Sequence, residues 1–226
     1  MDGNTAPQYE HAALLTIDVQ RDTLDGQPFE IPGTSAIVPR IARLAAFFRS
    51  QRRPIIHVVR LYKPDGSNVD LCRRTPVQQG AQLVIVGTSG AELAAPLLSS
   101  QSIRLDSQLL LSGGLQAVGP EEWIMYKARW GAFYRTPLEQ HLRGLGVSTL
   151  VFTGCNFPNC PRMSIYEASE RDFRVVAIEN AISGLDRRGR AELENIGVLV
   201  VDTESYLRRT NAASQTSDSP TAEGSQ

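Results

Sequence analysis

The sequence predicts a single α/β domain in which helices cover both faces of a mainly parallel sheet. Short apolar runs alternate with helical patterns along the chain, which is typical of parallel strands joined by right-handed crossovers. We interpret six apolar runs as strands, at positions 12–17, 55–61, 123–126, 149–153, 174–178 and 198–202. The length agrees, because about 200 residues remain once the polar ends are excluded, and one α/β domain can fill that length.

The helices follow from apolar spacing and from capping residues. They are predicted at 36–51, 161–173 and 187–196, with one more after the capping box Thr136-Pro137-Leu138-Glu139. In the first of these, Pro39 is placed in the first turn, where proline is tolerated.

Both ends of the chain lack apolar anchors. Residues 1–11 are polar and are expected to be flexible. Positions 209–226 are rich in Ser, Thr, Ala and Gly, which predicts a disordered C-terminal tail. The folded domain is therefore predicted at 12–208.

The charge balance excludes several classes of partner. The chain has 23 basic and 24 acidic residues, so no net field attracts nucleic acid or an anionic membrane. No apolar run approaches the ~20 residues that span a bilayer, and residues 1–11 lack the basic and apolar regions of a signal peptide. We expect a cytoplasmic protein without nucleic-acid or membrane partners, in which the three cysteines stay reduced.

A cysteine follows the predicted strand at 149–153, at a place where α/β enzymes commonly put a nucleophile. The turn at 154–159 leads to Cys160, and Pro161 suits the first position of the next helix. Cys160 would then be the N-cap, where the helix dipole lowers the pKa of a thiol and favours the reactive thiolate. The alternative is a small buried residue at a junction between a loop and a helix.

Two charged residues follow other predicted strands. Asp18 comes directly after the run at 12–17, and Lys127 ends the run at 123–126. Parallel strands would bring both side chains and Cys160 to the edge where open α/β sheets bind ligands. For Asp18 and Lys127 the alternative is a buried ion pair without a catalytic role.

Other kinds of catalytic site have weaker support. His11 lies in the polar N-terminus, His57 within a strand and His141 within a helix, so none is an obvious base for a cysteine nucleophile. The spacing of Cys155 and Cys160 differs from C-x-x-C, and no dinucleotide or phosphate-loop motif has its required spacing. We therefore predict that the protein uses no metal and no cofactor.

Several short segments occur in a characteristic order. They are Ile17-Asp18-Val19-Gln20, the segment 87–93, Lys127 with 131–133 and 136–138, and Gly154 six residues before Cys160. In this order, over roughly residues 12–203, the chain resembles the isochorismatase-like cysteine hydrolases, which include nicotinamidase and N-carbamoylsarcosine amidase. The resemblance implies a three-layer α/β/α domain of Rossmann-like topology with about six strands, and usually a homo-oligomer such as a dimer or tetramer.

The resemblance also implies roles for individual residues. Asp18, Lys127 and Cys160 would form a catalytic triad that hydrolyses a non-peptide C–N bond through a thioester. The substrate would be a small amide, ureido compound or lactam. The backbone N–H groups of Asn156 and Cys160 would form the oxyanion hole, and the Cys155–Asn156 peptide would be cis.

The chain departs from the family pattern in three places. The Asp-x-His pair that binds metal in nicotinamidases is absent, because the segment after the second strand reads Arg60-Leu61-Tyr62-Lys63. Phe157-Pro158-Asn159 replaces the commoner Thr-containing turn, and residues 99–118 look like additional chain. Neither a metal nor nicotinamide specificity is therefore carried over.

The walls of a substrate pocket are less defined by the sequence. Most of the candidates flank the triad in sequence; they are Gln20, Phe29, Trp130, Phe133 and Tyr134. Aromatic residues at such positions also pack in cores or at subunit interfaces. Arg73 and Arg74 are candidates to meet a carboxylate on the substrate, whereas paired arginines in a loop are more often solvated.

Two functions other than hydrolysis remain open at the level of the sequence. The first is a thiol redox protein that uses Cys155 with Cys160. The second is a catalytically silent interaction module built on the same fold.

Overall fold

Seven strands form one sheet in the computed structural model, which describes residues 3–217. The strands are β1 (Ala12–Ile17), β2 (Ile55–Val59), β3 (Leu115–Gly119), β4 (Glu122–Tyr126), β5 (Thr149–Gly154), β6 (Arg174–Ile182) and β7 (Leu199–Val201). The helices are α1 (Thr34–Ser50), α2 (Leu71–Gln78), α3 (Ser107–Leu111), α4 (Leu138–Gly144), α5 (Cys160–Ser169), α6 (Arg187–Asn195) and α7 (Thr203–Ser217). Across the sheet the strands follow the order β3-β4-β2-β1-β5-β6-β7.

Neighbouring strands are parallel except at one edge, where β3 and β4 form an antiparallel pair. The predicted α/β class with a mainly parallel sheet is confirmed, but the expected number of about six strands was one too few. The sequence did not indicate β3 because its residues, Leu-Gln-Ala-Val-Gly, are only partly buried and contain no continuous apolar run. An edge strand of this kind has a weaker apolar pattern than a strand buried on both faces.

The centre of the sheet is β1, which is buried along its whole length. Successive side chains of a strand point to opposite faces, so Leu15 packs in a cluster with Ile165 of α5, whereas Leu14 packs in a cluster with Phe48 of α1. Helices therefore cover both faces of the sheet, as predicted. This arrangement leaves the carboxyl ends of the strands as the edge where loops meet.

Most predicted helices are present, with shifted ends. Helix α1 begins at Thr34 rather than at 36, so Pro39 lies beyond the first turn. Helix α4 has no capping box, because its N-cap is Pro137; the Thr136 hydroxyl donates to the Ala132 carbonyl at 2.6 Å and accepts from the Leu138 N–H at 3.4 Å. The segment between β2 and β3, which had no clear pattern, packs as a third apolar cluster that includes Tyr62 and Val84.

Both ends of the described chain contact the folded domain. At the N-terminus, Tyr9–His11 form a 3-10 turn and the Gln8 N–H donates to the Thr149 hydroxyl at 2.9 Å. At the C-terminus the predicted tail begins within α7, where Thr210 is buried and its hydroxyl donates to the Tyr206 carbonyl at 3.0 Å. Residues 218–226 of the predicted tail lie outside the described residues. No helix within 3–217 is both long enough and apolar enough to span a membrane.

Candidate active site

The first residue of the site directly follows the central strand. Asp18 comes after Ile17, the last residue of β1, and its N–H donates to the carbonyl of Val58 at 2.9 Å. Its φ is 52°, a left-handed conformation that Asp tolerates better than most residues. The chain therefore leaves the sheet abruptly at Asp18, which places the carboxylate at the edge where the strands end.

A glycine allows the neighbouring strand to approach this turn. Gly154 ends β5 with a φ of +119°, and a Cβ atom there would lie 2.2 Å from the carbonyl oxygen of Ile17. The next N–H, that of Cys155, donates to the same carbonyl at 2.9 Å. The peptide between Cys155 and Asn156 is cis, in agreement with the resemblance. Only glycine fits such a close backbone approach at a positive φ.

The turn after β5 delivers Cys160 to the start of α5. Cys160 is the first residue of this helix, and Asn159 is the N-cap, one position earlier than predicted. Cys160 is 3% exposed, and its carbonyl accepts a hydrogen bond from the Ser164 hydroxyl at 2.7 Å. The thiol is therefore held at the helix start with little access to bulk water.

Lys127 joins the site from the other side of β1. It directly follows β4, its N–H donates to the Val59 carbonyl, and its side chain is fully buried. The ammonium donates to Asp18 Oδ2 at 2.7 Å and to the Arg129 carbonyl at 3.3 Å. The structure thus brings Asp18, Lys127 and Cys160 to one sheet edge, as the sequence predicted.

The ionisation of the acid and the thiol is set by competing effects. Burial favours the neutral form of Asp18, but the charges of Lys127 and Arg60 outweigh it and hold the pKa of this carboxyl below its usual value. Burial raises the pKa of the Cys160 thiol, and the negative charge of Asp18 adds to this effect. The expected lowering of the Cys160 pKa by the helix dipole was therefore wrong. The resting site holds a thiol beside a carboxylate.

The carboxylate has an oxygen available for this thiol. Asp18 Oδ2 is bound by Lys127, whereas Oδ1 is buried and accepts no hydrogen bond from the described residues. The thiol and the carboxylate affect each other's ionisation, although no hydrogen bond of standard geometry joins them in this structure. Asp18 Oδ1 is therefore the carboxylate oxygen that is free to accept the thiol proton.

Sequence reasoning did not assign a role to Arg60, which is a member of the site. It follows β2, is 2% exposed, and its Nη1 donates to Asp70 Oδ2 at 2.6 Å and to the Ala128 carbonyl at 3.0 Å. Its Nη2 donates to the Arg129 carbonyl and lies 3.7 Å from Cys160 Sγ. The sequence prediction missed this role because the strand was placed at 55–61, which includes Arg60, whereas β2 ends at Val59.

A cavity of about 290 Å³ opens above these groups. Its lining is Asp18, Gln20, Thr23, Phe29, Glu30, Ile31, Arg60, Arg73, Leu83, Val84, Cys155, Asn156 and Cys160. The volume suits a small molecule. Its walls come from segments that are distant in sequence, so the sequence alone could not assemble them.

Only two of the five predicted pocket residues line this cavity. Gln20 does, but its amide is committed to the backbone: Nε2 donates to the carbonyls of Arg60 and Ala91, and Oε1 accepts from the Arg60 N–H. Phe29 lines the cavity from the loop after β1. The three aromatic residues that follow Lys127 do not line it.

Those three aromatic residues have other surroundings. Trp130 packs against Arg60 and Arg73, whose guanidinium carbons lie 5.8 and 4.9 Å from its ring centre. Phe133 is buried in the core against Phe173, and Tyr134 is 43% exposed. Their assignment to the pocket wall was wrong, because proximity to Lys127 in sequence does not fix the direction of a side chain.

The backbone near the thiol carries the two predicted oxyanion donors. Asn156 and Cys160 both line the cavity. Within residues 3–217, neither of their N–H groups donates a backbone hydrogen bond. Two unused donors beside a thiol can donate hydrogen bonds to the oxygen of a tetrahedral intermediate.

One protein family matches most of the chain. The isochorismatase domain matches residues 12–102 and 107–205. The chain belongs to the isochorismatase family. The match spans all seven strands and includes Asp18, Lys127 and Cys160.

The relatives of this chain include proteins named as amide hydrolases and one named as probably inactive. A probable inactive nicotinamidase from Arabidopsis thaliana is 29% identical over 85% of this chain and 93% of its own. A ureidoacrylate amidohydrolase from Methylobacterium radiotolerans is 28% identical over 81% of this chain and 72% of its own. An isochorismatase family protein from Desulfovibrio vulgaris has the same fold, with a TM-score of 0.75 and 29% identity over 89% of this chain and 98% of its own.

Metal binding by nicotinamidases in this family has no counterpart here. The segment after β2 reads Arg60-Leu61-Tyr62, and the Arg60 guanidinium carries a positive charge beside Cys160. Within the described chain, no group of three or more His, Cys, Asp or Glu side chains could hold a metal ion. The residues present do not fit a metal at this position.

Cys155, the other cysteine of this turn, and His57 are both bound by neighbouring groups of the fold. Burial raises the pKa of Cys155 to about 12, and its Sγ donates to the Asp18 carbonyl at 3.0 Å. This high pKa disfavours the thiolate that thiol exchange requires. His57 lies inside β2, bonded to Thr16 and to Glu122 at 2.8 Å each, away from the cavity lining.

Proposed function

We propose that this family member is a cysteine hydrolase that cleaves a non-peptide C–N bond in a small amide, ureido compound or lactam. One observation carries the proposal: a buried Lys127–Asp18 ion pair lies next to the Cys160 thiol at the floor of a cavity sized for a small molecule. A carboxylate base held by a cation beside a nucleophile is the arrangement that covalent catalysis requires.

The first half of the reaction forms a thioester. The Cys160 thiol transfers its proton to Asp18 as Sγ attacks the carbonyl carbon of the substrate. The carbonyl oxygen becomes an oxyanion, which the N–H groups of Asn156 and Cys160 stabilise. The intermediate collapses, the C–N bond breaks, and the nitrogen leaves as an amine or ammonia after it takes the proton from Asp18.

The second half of the reaction releases the acyl group. Asp18 removes a proton from a water molecule that attacks the thioester carbonyl, and a second tetrahedral intermediate forms. Its collapse breaks the C–S bond, and Cys160 recovers the proton from Asp18. The acid product and the starting enzyme result, so no external oxidant, reductant or cofactor is required.

The cations of the site have separate tasks in this mechanism. Lys127 keeps the pKa of Asp18 low enough for the carboxylate to be present. It binds Oδ2, which leaves Oδ1 to accept the thiol proton. Arg60, with Nη2 3.7 Å from Sγ, stabilises negative charge that develops on the sulfur. Lys127 therefore keeps the proton acceptor ionised, whereas Arg60 favours the negative sulfur that remains after the proton has left.

The substrate class is supported by the names of relatives. Ureidoacrylate amidohydrolase and an N-carbamoylsarcosine amidase from Arthrobacter, which is 24% identical over 91% of this chain, both take their names from compounds with a carbamoyl group. We extend this chemistry to the present chain as part of the proposal. The Arabidopsis relative named as probably inactive shows that membership of the family does not establish activity.

Trapping the acyl-enzyme tests the proposal. A panel of amides, ureides and lactams is screened for release of ammonia or amine, and acid-quenched reactions are analysed by intact-protein mass spectrometry. We expect an acyl adduct on the wild-type protein and none on Cys160→Ala, whose thermal midpoint should stay nearly unchanged. Cys72→Ala, which removes an exposed thiol, is the matched control and should keep full activity.

The alternatives give different outcomes in the same experiments. Substantial turnover by Cys160→Ala contradicts the nucleophile and the mechanism with it. A silent interaction module predicts that Cys160 forms no adduct and does not react with iodoacetamide at neutral pH. A thiol redox protein predicts loss of two free thiols on mild oxidation, with Cys155 and Cys160 joined.

A further inference from the structure

The cavity contains one arginine without an acidic partner. Arg73 lies on α2 and lines the cavity that Cys160 also lines. The other two buried cations at the site are paired, Lys127 with Asp18 at 2.7 Å and Arg60 with Asp70 at 2.6 Å. Among the described residues, no carboxylate forms a salt bridge with Arg73.

Arg73 is held in place by neutral groups. Its Nη1 donates to the Tyr62 hydroxyl at 3.2 Å, and that hydroxyl donates in turn to Asp70 Oδ2 at 2.6 Å. Its guanidinium carbon lies 4.9 Å from the centre of the Trp130 ring. No other side-chain hydrogen bond of Arg73 is formed within residues 3–217, so Nε and Nη2 keep their donors.

These contacts leave the guanidinium suited to a carboxylate. The donors Nε–H and Nη2–H form one edge of the planar fork, which matches the two oxygens of a carboxylate. The one carboxylate of the lining besides Asp18 is that of Glu30, which is exposed and accepts from the Gly26 N–H at 2.5 Å. Among the cations around the cavity, Arg60 and Lys127 are therefore paired with carboxylates, whereas Arg73 is not.

We propose that Arg73 is the specificity-determining residue that binds a carboxylate on the substrate. This inference rests on the proposed function and narrows the substrate to an anionic amide or ureido acid. The carbonyl carbon to be attacked lies at Cys160, and the carboxylate lies at Arg73. Arg74, the adjacent arginine, has a different role, because its Nη2 donates to the Val69 carbonyl and it does not line the cavity.

Binding to an inactive protein tests this proposal apart from turnover. In the Cys160→Ala background, isothermal titration compares ureido acids with one to three carbons between the ureido group and the carboxylate, and the neutral methyl ester of each. We expect at least one acid to bind more tightly than its ester. Arg73→Gln should weaken that acid about 10- to 100-fold, which a lost charged hydrogen-bond pair typically costs, and should leave the ester unchanged.

Two further variants separate recognition from structure. Arg73→Lys keeps the charge and should restore part of the preference for the acid, whereas Arg74→Gln should bind as the parent does. With Cys160 intact, Arg73→Gln should raise KM for the acid more than it lowers kcat. A purely structural role would change acid and ester alike.

The outcomes that overturn this inference differ from those that overturn the hydrolase. Equal affinity for acid and ester, an unchanged preference in Arg73→Gln, or no binding of any acid in the series would overturn the role of Arg73. Acyl trapping with neutral amides would still establish the hydrolase in each of those cases. Failure to form any acyl adduct while the acid still binds through Arg73 would instead overturn the hydrolase.

Discussion

The ammonium of Lys127 lies 2.7 Å from Asp18 Oδ2, and this ion pair is buried. Removing one partner would leave the other charge uncompensated, which typically costs about 3–5 kcal/mol of stability. We expect Lys127→Met to lower the free energy of unfolding by this amount, measured by urea denaturation. Lys63→Met, at an exposed lysine, is the control and should have little effect.

The same pair should show strong coupling in a double-mutant cycle. Asp18→Asn removes the base and should lower kcat/KM by about 10²- to 10⁴-fold, the usual contribution of a general base. The double variant Asp18→Asn/Lys127→Met should be less destabilised and less impaired than the sum of the two single variants, because they act as one unit. Additive effects on both activity and stability would contradict this assignment.

The ionisation states predict a broad pH profile. Activity requires Asp18 as carboxylate and Cys160 as thiol in the resting enzyme. The pKa of Asp18 is held below its ordinary 3.8 and that of Cys160 is raised above its ordinary 9.0. We expect kcat/KM to be constant from about pH 5 to 8, with limbs only outside this range. A limb with a midpoint near 6.5 would indicate a histidine base instead.

The lowered pKa of Asp18 also has a consequence for stability. Because the folded protein binds the Asp18 proton less tightly than the unfolded chain does, this contribution to stability is present above pH 3.8. It is lost as the pH falls through the lowered pKa. The free energy of unfolding should therefore differ between wild type and Asp18→Asn at neutral pH. The two values should converge as the pH falls through the lowered pKa of Asp18.

Gly154 predicts a sharp contrast between two glycine substitutions. A Cβ at Gly154 would lie 2.2 Å from the Ile17 carbonyl oxygen and require a positive φ, so Gly154→Ala should cost at least about 1–3 kcal/mol. Gly144, where a Cβ has open space, is the matched control, and Gly144→Ala should be neutral or slightly stabilising. Thermal unfolding distinguishes the two. Equal midpoints would show that β1 and β5 tolerate a wider separation.

Activity should not depend on a divalent metal. The positive charges of Arg60 and Arg73 line the cavity and repel a cation. Turnover of the substrate found by screening should survive dialysis against EDTA without added metal. Loss of activity that zinc restores would overturn this prediction.

The meeting of Asp18, Lys127 and Cys160 at one sheet edge could be predicted from the sequence. Asp18 and Lys127 directly follow apolar runs, and the turn at 154–159 leads from such a run to Cys160. This rule missed Arg60, because the predicted strand at 55–61 includes this residue and the true end of β2 at Val59 is seen only in the structure. The direction of the Cys160 pKa shift could not be predicted, because burial and the charge of Asp18, which raise this pKa, follow from the tertiary structure. Phe133 was misplaced because its ring is buried in the core against Phe173, a contact between residues distant in sequence.

The cavity walls could not be predicted for a different reason. Leu83 and Val84 come from the segment between β2 and β3, which has no regular apolar period. The backbone N–H of Val84 is bound by Asp22 Oδ2 at 2.7 Å, a contact between residues 62 positions apart. Contacts of this kind depend on the finished tertiary structure. The homo-oligomer expected from the family resemblance likewise stays a prediction, which sedimentation at low micromolar concentration would test against the 24.8 kDa chain.

The position of β1 between β2 and β5 links the chemistry to the order in which the chain is made. Asp18 and Lys127 are 109 residues apart in sequence, and Arg60 and Cys160 are 100 residues apart. A ribosome releases Asp18, the proposed base, long before Cys160, the proposed nucleophile, so the nascent chain cannot assemble this site until β5 pairs with β1. Recovery of activity during refolding therefore reports the long-range pairing of β5 with β1, whereas helix signals report more local steps.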